Sequence, residues 1–453
     1  SPVMPQLMIT HGRCQFCHRT SEDFERLIGG DSSFICNDCV RSATELLAPK
    51  PADANAAPPV ERFLCQRLIR HFAPQRPEDM IAITRTYPVR QQADLQLALD
   101  DLFGERRVPE NFIGVQQHYR HEVAGYSKII ESGRGAVQAA PAQYEEVDIG
   151  AAESVRCLKN GVWILREGQT PYVVVLAQQE DYGRGTNLTV EVAVPPGETG
   201  AALCTRTFDA LERKLSKDSC YRGRVLSLES SYQYAGFAQR IRVHELEPVA
   251  REAVILPEDT LAILERNVLG FAGHRPALRK LGLSTQKGLL FHGPPGTGKT
   301  HCIRYLAGRL TGHTTLLITA EEMGLLPEYM ALARLLQPAL VVIEDADLIA
   351  RDRSERTSAC DEVMLNRLLH ELDGLRERAD VFFILTTNRP ESLEPALANR
   401  PGRIDQAIEF PLPDAGGRRW LIGLYGRGLD LQAQDLEGMV RRTEGASPAF
   451  IRE

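Results

Sequence analysis

Gly293-Pro-Pro-Gly-Thr-Gly-Lys-Thr300 has the residue types and the spacing of a phosphate cradle. Glycines at 293, 296 and 298 let a short loop turn tightly and aim its backbone N–H groups at a polyphosphate. Lys299 would reach the β- and γ-phosphates, and the Thr300 hydroxyl would ligate Mg²⁺. Pro294, Pro295 and Thr297 complete the loop, and His301 opens a helix whose N-terminus meets the phosphates. Residues 288–292 read as the short buried strand that feeds this loop. A second buried strand, residues 339–343, ends in two acids, Glu344 and Asp345. Open α/β sheets bind ligands at such carboxyl ends. Glu344 would hold the Mg²⁺ shell, and Asp345 would orient and polarise an attacking water. A third strand, beginning at Phe382, ends in Asn388, whose amide would report the γ-phosphate or the water. Arg400 and Arg403 stand beside a Pro-Gly turn and make poor core. A guanidinium inserted into a neighbour's site would stabilise transition-state charge. Together these residues predict binding and hydrolysis of a nucleoside triphosphate with Mg²⁺.

A second chemistry sits at the other end of the chain. Cys14-x-x-Cys17 and Cys36-x-x-Cys39 are two knuckles with eighteen residues between them, which suits one tetrahedral Zn²⁺ site. Four thiolates fill the metal, so the site is expected to be structural. In so short a fold the metal would supply most of the folding energy. A redox dithiol pair is the rival reading, and His11 and His18 are expected to be bystanders. This stretch resembles the zinc-binding domain of the ClpX unfoldase, from Cys14-Gln-Phe-Cys17 through residues 25–30 to Phe34-Ile-Cys-Asn-Asp-Cys-Val40. The resemblance implies a module that dimerises and docks substrates or adaptors. A zinc-stapled cap without partners is the alternative.

Residues 288–412 resemble an AAA+ ATPase of the core AAA clade. The stretches that carry the likeness are 293–300, 341–347, 362–374, 387–390 and 400–405. The resemblance implies ATP as the nucleotide, Asn388 as the sensor residue, and Arg400 and Arg403 as fingers acting in trans. It implies a hexameric ring, because such a finger needs a neighbour. It places Asp373-Gly374-Leu375 at an inter-subunit signalling motif, and Asn267-Val-Leu-Gly270, with Gly270, at the adenine pocket. Three departures stand out. The acid pair is Glu-Asp rather than Asp-Glu. No aromatic-hydrophobic-Gly pore loop is evident between Thr319 and Ala339, where Met323-Gly324 is the nearest match and Tyr329 a weaker one. The ATPase belongs to a different clade from ClpX itself, and no protease-docking Ile-Gly-Phe loop is recognisable.

The elements that must position these residues follow from the chain in order. The expected fold is multidomain. A zinc module spans 1–48, a Pro/Ala linker 49–60, a helical region 61–135 and an α+β domain 144–250. An α/β phosphate-loop module, with a parallel sheet flanked by helices, spans 251–412. The start of a helical lid spans 413–453. The chain stops in what should be a lid helix, so a truncated or minimal lid is expected. His118 and His121 in the helical region are expected to be surface or capping residues. The middle region resembles no family.

The 453 residues carry a net charge of −7, with 43% hydrophobic and 25% charged residues, as in a soluble globular protein. That charge argues against nucleic-acid binding, and no apolar run reaches the length of a membrane span. Ten cysteines, four of them in metal-ligand spacing, suggest reduced thiols and a cytoplasmic location. The leading expectation is an ATP-driven machine that remodels, disassembles or unfolds a protein recruited by the zinc module and the middle domain. A nucleotide-switched assembly factor that threads nothing is the alternative. An ATPase acting on nucleic acid is the third.

Overall fold

The computed structural model describes residues 13–20, 27–30, 33–47, 63–104, 107, 110–115, 125–132, 136–150, 153–181, 185–230, 238–283, 285–347, 379–391, 404–427 and 433–453. The chain divides into two units, Ser1–Glu61 and Arg62–Glu453. In the first, β1 (Leu27–Gly30) and β2 (Ser33–Cys36) pair antiparallel, and helix α1 (Asn37–Leu47) begins at the residue after Cys36. Arg13 bridges to Thr20 across the first knuckle. The hairpin end and the helix start thus carry Cys36 and Cys39, three residues apart on one turn.

The second unit opens with α2 (Leu64–Phe72), β3 (Ile81–Pro88), α3 (Gln92–Phe103), β4 (Phe112–Val115) and α4 (Tyr126–Ile129). The expectation of a helical region at 61–135 is therefore corrected. Residues 81–88 are the β-rich run Ile-Ala-Ile-Thr-Arg-Thr-Tyr-Pro, and short apolar runs do not separate helix from strand by periodicity alone. β5 (Ala139–Ala140), β6 (Gln143–Gly150), β7 (Glu153–Glu167), β8 (Thr170–Asp181) and β9 (Gly185–Val194) complete one sheet of order β3-β9-β8-β7-β4-β5, with β6 on β7. Its pairings are antiparallel. Trp163 and Leu165 of β7, with Tyr172 and Val174 of β8, face a core under α3 and α5 (Glu198–Lys217). Val162, Ile164, Val173 and Val175 face the opposite core, under α2 and α4. The period of two along each strand makes both faces apolar, and helices cover both.

After α5, β10 (Val225–Ser230) and β11 (Ala238–His244) form a hairpin. The sequence boundary at 250 puts this hairpin in the middle domain, but it joins the next sheet. Then follow α6 (Glu258–Glu265), α7 (Phe271–Lys280), β12 (Lys287–His292), α8 (Lys299–Arg309), β13 (Thr314–Ile318), α9 (Leu326–Leu335), β14 (Ala339–Ile343), β15 (Val381–Thr387) and β16 (Gln406–Glu409). The strand order is β11-β10-β13-β14-β15-β12-β16, parallel except for β11. Every residue of β14 and β15 is buried, as a parallel strand covered on both faces requires. Leu226, Leu228 and Ile241 of the hairpin share one core with Ile149, Val155 and Cys157 of the first sheet and with Leu316 and Tyr329. The two sheets of this unit are thus built around a common apolar interior, which is why no linker separates them.

Three helices, Ala415–Tyr425, Ala433–Arg442 and Pro448–Arg452, follow the sheet. Arg418 is buried and donates to the Val440 and Pro413 carbonyls, tying the first helix to the second. Among the described residues no helix is long and apolar enough to cross a membrane.

Candidate functional site

The phosphate loop joins β12 to α8. Gly293, Gly296 and Gly298 all adopt positive φ. At Gly293 a Cβ would meet the Phe410 carbonyl oxygen at 2.3 Å, so both its backbone angle and its packing demand glycine. Thr297 Oγ1 donates to the Pro294 carbonyl at 2.8 Å and closes the turn.

Lys299 is buried, and its ammonium donates three bonds: to Gly293 O at 2.7 Å, to Pro294 O at 3.0 Å and to Asn388 Oδ1 at 2.8 Å. Burial lowers its pKa, against the raising effect of the facing Asp345 and Asp347 carboxylates. Thr300 Oγ1 donates to Glu344 Oε1 at 2.7 Å. A hydroxyl and a carboxylate at the end of a phosphate loop are a donor set that fits Mg²⁺.

The second acid is held differently. Asp345 has φ of 50°, the left-handed region, which Asp tolerates better than most residues. Its N–H donates to Thr386 Oγ1 at 2.9 Å, and its Oδ1 accepts from Asn388 Nδ2 at 3.2 Å. Asn388 therefore links Lys299 on one side to Asp345 on the other. Asp347, unassigned from the sequence, fixes this amide in place: Oδ1 accepts from Asn388 N and from Thr387 Oγ1, both at 3.1 Å. Asp347 is 1% exposed. Its place two residues beyond Asp345, facing the Thr-Thr-Asn strand end, was the available signal.

These groups open onto a cleft of about 670 Å³, within the size range of ligand pockets. Pro295 to His301, Glu344, Asp345, Thr386 and Asn388 line it with polar groups, and Ala253 to Leu256, Leu421 and Tyr425 line it with largely apolar ones. Pro448, Ala449, Arg452 and Glu453 of the last helix complete the lining. Gly270 is not among the lining residues. It ends the helical turn Arg266–Gly270, whose Val268 packs into the core beneath α8. Gly293 and Pro294 contribute carbonyls to Lys299 rather than lining. The lid closes one side: Ala449 N donates to Gly296 O at 3.2 Å. Arg400, Arg403, Asp373-Gly374-Leu375, His11, His118 and His121 lie outside the described residues.

The pore-loop matches are corrected. Met323 is 2% exposed and Tyr329 is fully buried. The Tyr329 hydroxyl donates to Glu322 Oε2 and accepts from Leu228 N at 2.7 Å, so the β10–β11 hairpin covers the position.

In the first unit the Sγ atoms of Cys14, Cys17, Cys36 and Cys39 lie within 4.8 Å of one another. Cys14 to Cys39 is 3.8 Å and Cys17 to Cys36 is 3.6 Å. Tetrahedral Zn–S bonds of about 2.3 Å set sulfurs roughly 3.8 Å apart, so the thiols fit the metal. The N–H groups of Cys36 and Cys39 point at Cys14 Sγ and Cys36 Sγ, as thiolate ligands favour.

Comparison with known proteins finds a family model for each of these two regions. Residues 289–412 match the model of the ATPase family associated with various cellular activities (AAA). Residues 12–48 match the ClpX C4-type zinc finger. A proteasome-activating nucleotidase of Methanothermobacter thermautotrophicus is 37% identical over 186 residues, covering 38% of this chain and 45% of the relative. A proteasome-activating nucleotidase of Pyrococcus horikoshii is 35% identical over 191 residues, covering 40% and 47%. A cell division cycle protein 48 homolog of Archaeoglobus fulgidus is 30% identical over 320 residues, covering 68% and 40%. The chain thus spans less than half the length of these curated relatives.

Proposed function

We propose that this chain, an AAA ATPase domain carried behind a ClpX-type zinc finger, hydrolyses Mg²⁺-ATP to remodel or disassemble a protein partner. The observation that carries the reading is the chain of bonds Lys299–Asn388–Asp345 beside the Thr300–Glu344 pair. The loop N–H groups bind the phosphates. Lys299 exchanges its amide and carbonyl partners for phosphate oxygens. Thr300 and Glu344 would hold Mg²⁺, which would supply positive charge against the phosphates. Asp345 accepts the proton of the attacking water, and Asn388 orients that water. Arg400 and Arg403 act on the next subunit of a hexamer, supplying positive charge in the transition state. Residues 253–256, Leu421 and Tyr425 offer the base an apolar surface.

The zinc unit docks the protein partner, by its likeness to the ClpX finger. Four thiols arranged for a metal suit a reducing compartment, the cytoplasm. The test is a substrate trap. The Asp345→Asn chain, which should bind ATP without hydrolysing it, is purified with Mg²⁺-ATP beside the same trap lacking residues 1–48. Proteins held by the full trap alone support docking by the zinc unit. Identical partners in both traps count against it.

A second reading is favoured by one observation. Met323 and Tyr329 are buried where a threading loop would project. The chain is then a nucleotide-switched assembly factor. A tagged, stable reporter protein that keeps its folded signal in ATP would support this reading, and ATP-dependent loss of that signal would exclude it.

A further inference from the structure

The connection from β11 to α6 forms the apolar wall of the cleft, and it is not part of any regular element beyond the short helical turn Arg251–Ala253. Its position depends on what ties it down. Arg251 pairs with Glu258 at 2.8 Å and with Glu265 at 2.9 Å, which anchors the outer side. His301, at the start of α8, lines the cleft beside this segment. From the lid, Trp420 Nε1 donates to the Glu252 carbonyl at 3.0 Å. Trp420 is 53% exposed, so burial does not explain its place. The next residue, Leu421, and Tyr425 line the same cleft from the same helix.

Resting on the ATP reading above, we propose that Trp420 is a positioning residue of the nucleotide site: its indole N–H holds the Ala253–Leu256 wall against the lid and so sets the width of the base end. The physical reason is local. A segment without a ladder of its own takes its geometry from a few side-chain bonds, and a bond from the lid fixes wall and lid together. The bond acts on binding of the base and not on the phosphate chemistry, because it reaches Glu252 and not Lys299, Thr300, Glu344, Asp345 or Asn388.

The experiment uses the full chain. Trp420→Phe keeps a ring and removes the N–H. Its affinity for Mg²⁺-ADP, read with a fluorescent N-methylanthraniloyl label, is expected to fall about fivefold, the size of one ordinary hydrogen bond. KM for ATP should rise by the same factor with kcat unchanged. Intrinsic fluorescence gives an independent readout, because the chain has two tryptophans and Trp163 is fully buried in the first sheet. Mg²⁺-ADP should change the emission of the native chain and of Trp163→Phe, but not of Trp420→Phe. Unchanged affinity in Trp420→Phe, or an emission change that survives in it, overturns the inference while the nucleotide reading stands. A native chain that binds no Mg²⁺-ADP overturns both.

Discussion

The ammonium of Lys299 lies 2.8 Å from the side-chain oxygen of Asn388, and the amide nitrogen of the same Asn388 lies 3.2 Å from Asp345. One amide therefore connects the group that would bind phosphate to the group that would activate water. Replacement by Ala leaves the loop and its glycines intact but removes both bonds. Asn388→Ala is expected to bind labelled ATP within about threefold of the native chain and to lower kcat by about 10²-fold, the loss typical of one preorganised donor. A KM effect with unchanged kcat would place Asn388 in binding alone.

The order of the acid pair follows from the backbone at Asp345. With φ of 50°, the left-handed conformation suits Asp or Asn and disfavours Glu. Asp345→Asn should unfold in denaturant at the native midpoint. Asp345→Glu should lose about 1 kcal/mol of stability, and it should not accelerate hydrolysis. An Asp345→Glu chain as stable as the native one and faster would show that the turn does not dictate the residue.

Tyr329 distinguishes a structural role from a threading role. Its hydroxyl satisfies the buried N–H of Leu228. Tyr329→Phe leaves that N–H without its partner and should destabilise the chain by about 1–3 kcal/mol in denaturant unfolding. Full stability, with loss of substrate processing alone, would return Tyr329 to a pore-loop role.

Removal of zinc should act on the first unit. One zinc per chain is expected on release with a chelator, read with a colorimetric metal indicator. Cys36→Ser should lose it, because four thiolates fill a closed site. Cys302, almost fully buried on α8 and pushed up to about 12 by that burial, should stay unreactive to alkylating reagents after the metal is gone. Zinc retained by Cys36→Ser would remove Cys36 from the ligand set.

Much of the site was legible because its chemistry is local. The loop at 293–300, the strand end at Glu344 and Asp345, and the two cysteine knuckles each depend on residues close in sequence. The cleft wall at 253–256 carries no motif: backbone and apolar side chains form it, and its place depends on a distant partner, Trp420. Asp347 escaped because its role arises only when β14 and β15 lie side by side. No local pattern says that β10 pairs with β13 across the 83 residues between them. The burial of Tyr329 follows from that one pairing.

The central claim is that Lys299, Thr300, Glu344, Asp345 and Asn388 form one hydrolytic site. It is tested most directly by Mg²⁺-dependent phosphate release from ATP, measured for the native chain, Lys299→Ala and Asp345→Asn alongside binding of labelled ATP. The account predicts release from the native chain alone, full binding by Asp345→Asn, and no binding by Lys299→Ala. Equal release from all three, or native-like release from Asp345→Asn, would contradict it.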